Sequence, residues 1–200
     1  MQKHNFGLRQ FNHLLTGIVI LLAVYILVAP FLPRAALYAA RATDKKHGYA
    51  YQNRVRPQPS STAKPVPSDN RLVIPSLELN QPISESKSIS VLNNGGTWRR
   101  PKTSTPDKGG NTVIIGHRYT YKGLSTFYNL DQLKYDDVII IYWQGKEHDY
   151  RVRENKVVPP STVSIEAPSD DPRLTLYTCT PLWNAKSRLV IVAEPVIITP

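Results

Sequence analysis

The chain has 200 residues, 41% of them hydrophobic, with a formal charge of +10 and a single cysteine, Cys179. That length holds one ordinary domain plus appendages, and a lone cysteine excludes an internal disulfide and cannot by itself build a zinc site. The positive charge invites a nucleic-acid reading, but the basic residues are scattered and no basic helix or recognition motif gathers them. A surface facing anionic lipid or an anionic cell wall fits at least as well.

Residues 1–13 are polar and mildly basic and read as a cytoplasmic tail. Leu14–Leu32, LLTGIVILLAVYILVAPFL, then runs for 19 residues without a charge. At about 1.5 Å rise per residue such a helix is about 28 Å long, which matches a hydrocarbon core of about 30 Å. A buried core helix would show a polar face, and a signal peptide would have a shorter apolar stretch, so residues 14–32 read as a retained transmembrane helix. The basic residues do not orient it: Lys3 and Arg9 precede the span, and Arg34, Arg41, Lys45 and Lys46 follow it. An extracytoplasmic catalytic part, in a single-pass protein of the cell membrane, is expected from the chemistry below.

Residues 33–70 change character. RPQPSSTAKPVPSDN, with Pro57, Pro59, Pro65 and Pro67, cannot bury enough apolar surface to fold, and its prolines stiffen it. The segment reads as a stalk. From residue 71 to 200 the apolar runs are short and β-branched: Leu72–Ile74, Thr112–Ile115, Val138–Trp143, Tyr150–Val158, Leu174–Thr178 and Arg188–Ile198. Turn signals such as Asn93–Gly96, Pro106–Gly110 and Gln144–Lys146 separate them. This pattern predicts an all-β sandwich or barrel, with Ser125–Leu133 as a short helix or helical turn.

Within Leu174–Pro181, LTLYTCTP, the alternation puts Leu174, Leu176 and Thr178 on one face and Thr175, Tyr177 and Cys179 on the other. Cys179 therefore ends a strand, a rigid place from which to present a thiol to a cleft. With a free-thiol pKa near 8.5, a nucleophilic cysteine needs a proton acceptor or a cationic neighbour. Of five histidines, His4, His13 and His47 lie at or before the stalk, and His148 sits in a polar turn-like stretch. His117 follows an apolar strand and a glycine in VIIGHR, where the backbone can approach closely or turn sharply. On pattern alone it is either an acid–base partner or a hydrogen-bonded structural histidine. Arg188 opens the strand RLVIVAEPV. It stays protonated, so it is either an oxyanion or carbonyl ligand or an ordinary surface ion-pair residue.

The set GHR at 116–118, TLYTC at 175–179 and Arg188 in SRLV resembles the sortase family, whose signature is TLxTC with an upstream His and a downstream Arg. The resemblance extends from Arg71 to about Val196, and a span followed by a stalk matches the family layout. It implies a closed eight-stranded β-barrel with one or two short helices, and a cysteine transpeptidase. Cys179 would attack the carbonyl after Thr in an LPXTG-like sorting signal, forming a thioacyl enzyme. An amine of a cell-wall precursor, or a protein lysine, would resolve it and so anchor surface proteins to the envelope. His117 would be the general acid/base, and Arg188 would position the signal and support the oxyanion. Thr178 would contribute a substrate or oxyanion contact, with Ile114, Leu176 and Trp183 as apolar cleft walls by proximity to the motifs. The short loop before Arg188, and the absence of a lid-like segment, resemble the D or E housekeeping classes more than the pilin-polymerising class.

Some members of that family bind calcium near the cleft. Asp107, Glu166, Asp170 and Asp171 are oxygen ligands of the right type, although solvated loop carboxylates are their commoner meaning. No cofactor and no structural metal are expected, with calcium as the one alternative. Two functional rivals stand beside the transpeptidase: a cysteine endopeptidase, in which water resolves the same thioester, and a non-enzymatic wall-binding β-domain in which Cys179 is packing.

Overall fold

The computed structural model describes residues 7–32, 35, 66–120 and 123–196. The chain divides into two compact units, Met1–Arg56 and Pro57–Pro200. Most of the expected stalk, and residues 1–6 of the expected tail, lie outside the described residues.

In the first unit, helix α1 spans Leu8–Val28 and passes into a 3-10 turn at Ala29–Phe31. It begins six residues before the apolar run: Leu8–His13 contains no Gly or Pro to break a helix, and the start falls at Gly7. It ends at Val28, two residues ahead of Pro30, which has no N–H to continue the ladder. Within it, Gln10–Val28 is a 19-residue stretch of mean hydropathy 2.3, long and apolar enough to cross a membrane.

The second unit is a closed barrel. Its strands are β1 (Arg71–Ile74), β2 (Leu79–Glu85), β3 (Thr97–Arg99), β4 (Asn111–Ile115), β7 (Val138–Trp143), β8 (Lys146–Val158), β9 (Arg173–Thr180) and β10 (Ser187–Pro195), with the hairpin β5 (Tyr119–Thr120) and β6 (Gly123–Leu124) set apart. Round the barrel the order is β1-β2-β3-β4-β9-β10-β8-β7, and β7 pairs back onto β1. Two junctions are parallel, β2 with β3 and β4 with β9; the others are antiparallel. A parallel pair needs a long crossover, and the chain from residue 116 to 172 supplies it between β4 and β9, building β7 and β8 on the way.

Paired residues share a face, so the ladders trace the interior: Leu72 with Ile141, Ile139 with Tyr150, Val152 with Ala193, Ala193 with Leu174, and Leu176 with both Ile191 and Ile114. All of these are buried. Each fully buried Leu or Ile side chain contributes about 1.5–3 kcal/mol, which is how the barrel closes without a disulfide. Ser125–Leu133, expected as a helical turn, is a series of turns with a 3-10 segment at Leu130–Gln132. Leu130 and Phe127 are wholly buried there, so packing rather than helix propensity shapes this segment.

Candidate active site

Cys179 is a free, half-buried thiol on the last turn of the pleat in β9. In the β9–β10 ladder it stands directly opposite Arg188, a placement that sets Cβ atoms about 4.5–5.5 Å apart. On its other side, β4 pairs in parallel with β9 up to Ile115 opposite Tyr177. Continued by two residues, that register sets Gly116 beside Thr178 and His117 beside Cys179. The Thr178 hydroxyl does reach the Gly116 carbonyl, at 2.8 Å. His117, Cys179 and Arg188 thus come from three neighbouring chain segments at one level of the barrel wall.

Gly116 is explained by Phe127. A Cβ at residue 116 would lie 2.9 Å from the Phe127 ring, and Phe127 N–H donates to the His117 carbonyl at 2.9 Å. The ring fills the space that a side chain would need, so only glycine lets the histidine segment lie this close to the turn at 125–130.

The face carrying Cys179 also carries Tyr177, which packs with Val91 against an apolar bed of Leu92, Trp98, Val113 and Ile115. Glu166, from the 3-10 turn Val163–Glu166, lies over the edge of that bed. It accepts from Arg100 Nε at 2.9 and 3.0 Å and from the Tyr177 hydroxyl. Arg100 in turn lies over the Trp98 ring, 5.3 Å from its centroid. Burial, reinforced by the bond to Glu166, pushes the Tyr177 phenol well above its usual range. It stays a neutral donor at any ordinary pH.

Other expected site residues are placed differently. Ile114 and Leu176 are 0% exposed and paired with each other on the interior face, opposite to Cys179, with no surface to offer a peptide. Thr178 is buried, and its hydroxyl is committed to the Gly116 carbonyl. Trp183 is 70% exposed in the loop between β9 and β10 and meets Tyr119 edge-on, ring centroids 4.6 Å apart. The Arg188 guanidinium donates to the carbonyls of Ala185 (3.2 Å) and Ser187 (3.1 Å), so it lies against its own loop. Of the residues considered for calcium, Glu166 is taken by Arg100 and Tyr177, and Asp107, Asp170 and Asp171 are exposed. Among the described residues no group of three or more His, Cys, Asp or Glu is arranged to hold a metal ion.

One residue stood in the quoted motif without an expected role. Arg118 is 5% exposed, pairs with Asp131 at 2.8 Å, and donates to the Thr180 hydroxyl at 2.6 Å and the Tyr128 carbonyl at 3.3 Å. The motif names the arginine, but nothing local to it points to Asp131, its partner in a distant turn.

A cysteine, a histidine and an arginine carried on neighbouring segments of a closed all-β barrel supply the chemical groups that a cysteine acyl-transfer enzyme uses. The Sortase domain family profile matches residues 72–196, the full circuit of the barrel. Sortase SrtE1 of Streptomyces coelicolor is 33% identical over 135 residues, 60% of this chain and 38% of that protein's length. The chain therefore aligns with well under half of that curated relative. Among solved structures, Sortase E1 from Streptomyces coelicolor with a tripeptide in the active site matches with TM-score 0.59 at 28% identity, over 68% of this chain and 92% of that one. Sortase C from Clostridium perfringens SM101 matches with TM-score 0.55 at 30% identity, over 64% and 69%. The chain belongs to the sortase family, whose members are cysteine transpeptidases acting on sorting-signal substrates and amine acceptors.

Proposed function

We propose that this chain is a membrane-anchored transpeptidase that joins sorting-signal proteins to an amine of the cell envelope. The observation that carries this reading is the alignment of His117, Cys179 and Arg188 across neighbouring segments of the barrel wall. The Cys179 thiolate attacks the carbonyl carbon after Thr of an LPXTG-like signal, in the tetrahedral intermediate Arg188 faces the oxyanion, and the C–N bond breaks as His117 protonates the leaving amine. The incoming amine, from a cell-wall precursor or a protein lysine, then gives a proton to His117 and attacks the thioester. The C–S bond breaks and Cys179 is restored. Arg188 leaves the carbonyls of Ala185 and Ser187 to serve the substrate.

The Gln10–Val28 stretch supports a single membrane span, with the barrel on the extracytoplasmic side, where sorting signals and wall precursors are found. The test uses the full-length chain in detergent, mixed with LPXTG- and LAXTG-type peptides and triglycine, and read by mass spectrometry. A ligated product that disappears in Cys179→Ala is the expected result. Cleavage without ligation would favour the endopeptidase. An inert thiol and no acyl adduct with any peptide would leave only a binding module.

A further inference from the structure

The backbone ladder between β4 and β9 ends at Ile115 and Tyr177, before it reaches the histidine and the cysteine. Beyond that point two side-chain bonds replace it. Thr178 Oγ1 donates to the Gly116 carbonyl at 2.8 Å, and Arg118 Nη1 donates to Thr180 Oγ1 at 2.6 Å. The first joins the residue before Cys179 to the residue before His117, and the second joins the residue after each. The pair is bracketed on both sides.

Arg118 is suited to this task. Its guanidinium is 5% exposed and has a second anchor, Asp131 at 2.8 Å, and a third, the Tyr128 carbonyl at 3.3 Å. A rigid planar fork with three partners cannot swing into solvent as a lysine would. Asp131 also balances its charge, so its influence on the neighbouring thiol and imidazole is one of geometry. Beyond Gly116, the backbone of the histidine-bearing segment is bonded to the Phe127 N–H at His117 and to β6 at Tyr119–Thr120, and neither bond joins it to β9.

We propose that Arg118 and Thr180 are positioning residues that hold the His117 imidazole against the Cys179 thiol. The inference rests on the acid–base and nucleophile roles assigned above. Proton transfer needs heavy atoms about 2.6–3.2 Å apart, and a misplacement of about 1 Å can cost about 100-fold in rate.

The test compares wild type, Thr180→Val, Thr180→Ser and Arg118→Lys as full-length chains in detergent, well below their melting temperatures. Valine keeps the shape of threonine and removes the acceptor, leaving Arg118 paired with Asp131. The expected result is about a tenfold fall in kcat with KM within twofold, rescue by Thr180→Ser, and a similar loss in Arg118→Lys. A second readout needs no turnover: the rate of Cys179 alkylation by iodoacetamide at neutral pH should fall in Thr180→Val and recover in Thr180→Ser. A Thr180→Val protein that melts lower but keeps wild-type kcat and alkylation rate would overturn the proposal, leaving the tie purely structural. If the wild type forms no thioester with any peptide, the transpeptidase reading fails, and the alkylation rate still decides for or against the tie.

Discussion

Replacing Gly116 by alanine would put a methyl carbon 2.9 Å from Cδ2 of Phe127, 3.1 Å from Cγ and 3.2 Å from Cε2, about half an ångström inside ordinary contact. The strain has few outlets. The Phe127 ring is 0% exposed, and its backbone N–H holds the His117 carbonyl, so either the ring or the histidine segment must shift. Overpacking of this kind costs about 1–3 kcal/mol. At about 4 °C per kcal/mol for a domain of this size, Gly116→Ala should melt about 4–12 °C below wild type. Because the shift is passed to the residue next to His117, kcat for peptide ligation should also fall, by about 10- to 100-fold. Melting followed by circular dichroism and ligation followed by mass spectrometry check both. The double variant Gly116→Ala with Phe127→Leu removes the ring and should melt above the value expected from adding the two single effects. If Gly116→Ala melted within a degree of wild type and ligated at the wild-type rate, the steric account of this glycine would be wrong.

Three further outcomes are expected. Cys179→Ala should form no ligated product, yet melt close to wild type, because the half-buried thiol makes no described hydrogen bond; a residual thioester signal would point to another nucleophile. Arg188→Ala should lower kcat/KM by about 100- to 1,000-fold with little change in melting, since its bonds are to its own loop; a twofold loss would remove it from the site. Asp149 supplies a pH test. Burial first, and then the charge of Glu147, hold its carboxyl up at about 6 against the ordinary 3.8, with Arg151 opposing. A raised carboxyl pKa means that the fold binds this proton more tightly than the unfolded chain. The associated stability is therefore present below about pH 4 and lost as the pH rises through 6. Asp149→Asn should melt above wild type at pH 7 and level with it at pH 4, and an equal difference at both values would refute the assignment.

Local pattern made much of this protein legible. An uncharged apolar run implies a membrane-length helix because backbone groups in hydrocarbon must satisfy one another. Period-two alternation alone sets Tyr177 and Cys179 on one side of a strand and Leu176 and Thr178 on the other, and the observed burial follows it. That same alternation already spoke against Leu176 as a wall of the cleft, because a residue on the opposite face of the strand points into the barrel. Ile114 follows by pairing, since its partner in β9 is Leu176. Two strands, β2 and β3, carried no strong apolar run, and their sequences, LNQPISE and TWR, become strands through their neighbours.

What the tertiary structure decided is which distant segments stand side by side. The parallel register of β4 and β9 spans a long crossover, and it, rather than any preference near His117, brings that residue level with Cys179. The apolar bed is assembled from Val91 and Leu92 on the 3-10 segment Ile89–Asn94 and Ile115 and Tyr177 on two strands, while Glu166 bonds both Tyr177 and Arg100. Arg118 and Arg188 are the same residue type at the ends of similar strands, yet one is buried on Asp131 and the other lies at the rim. Periodicity and chemistry act between neighbours in the chain, so the sequence by itself determined the membrane-length helix and the strands with apolar runs, and it named the candidate reactive groups. The partners of those groups depend on closure of the barrel, which is settled only when all eight strands have paired.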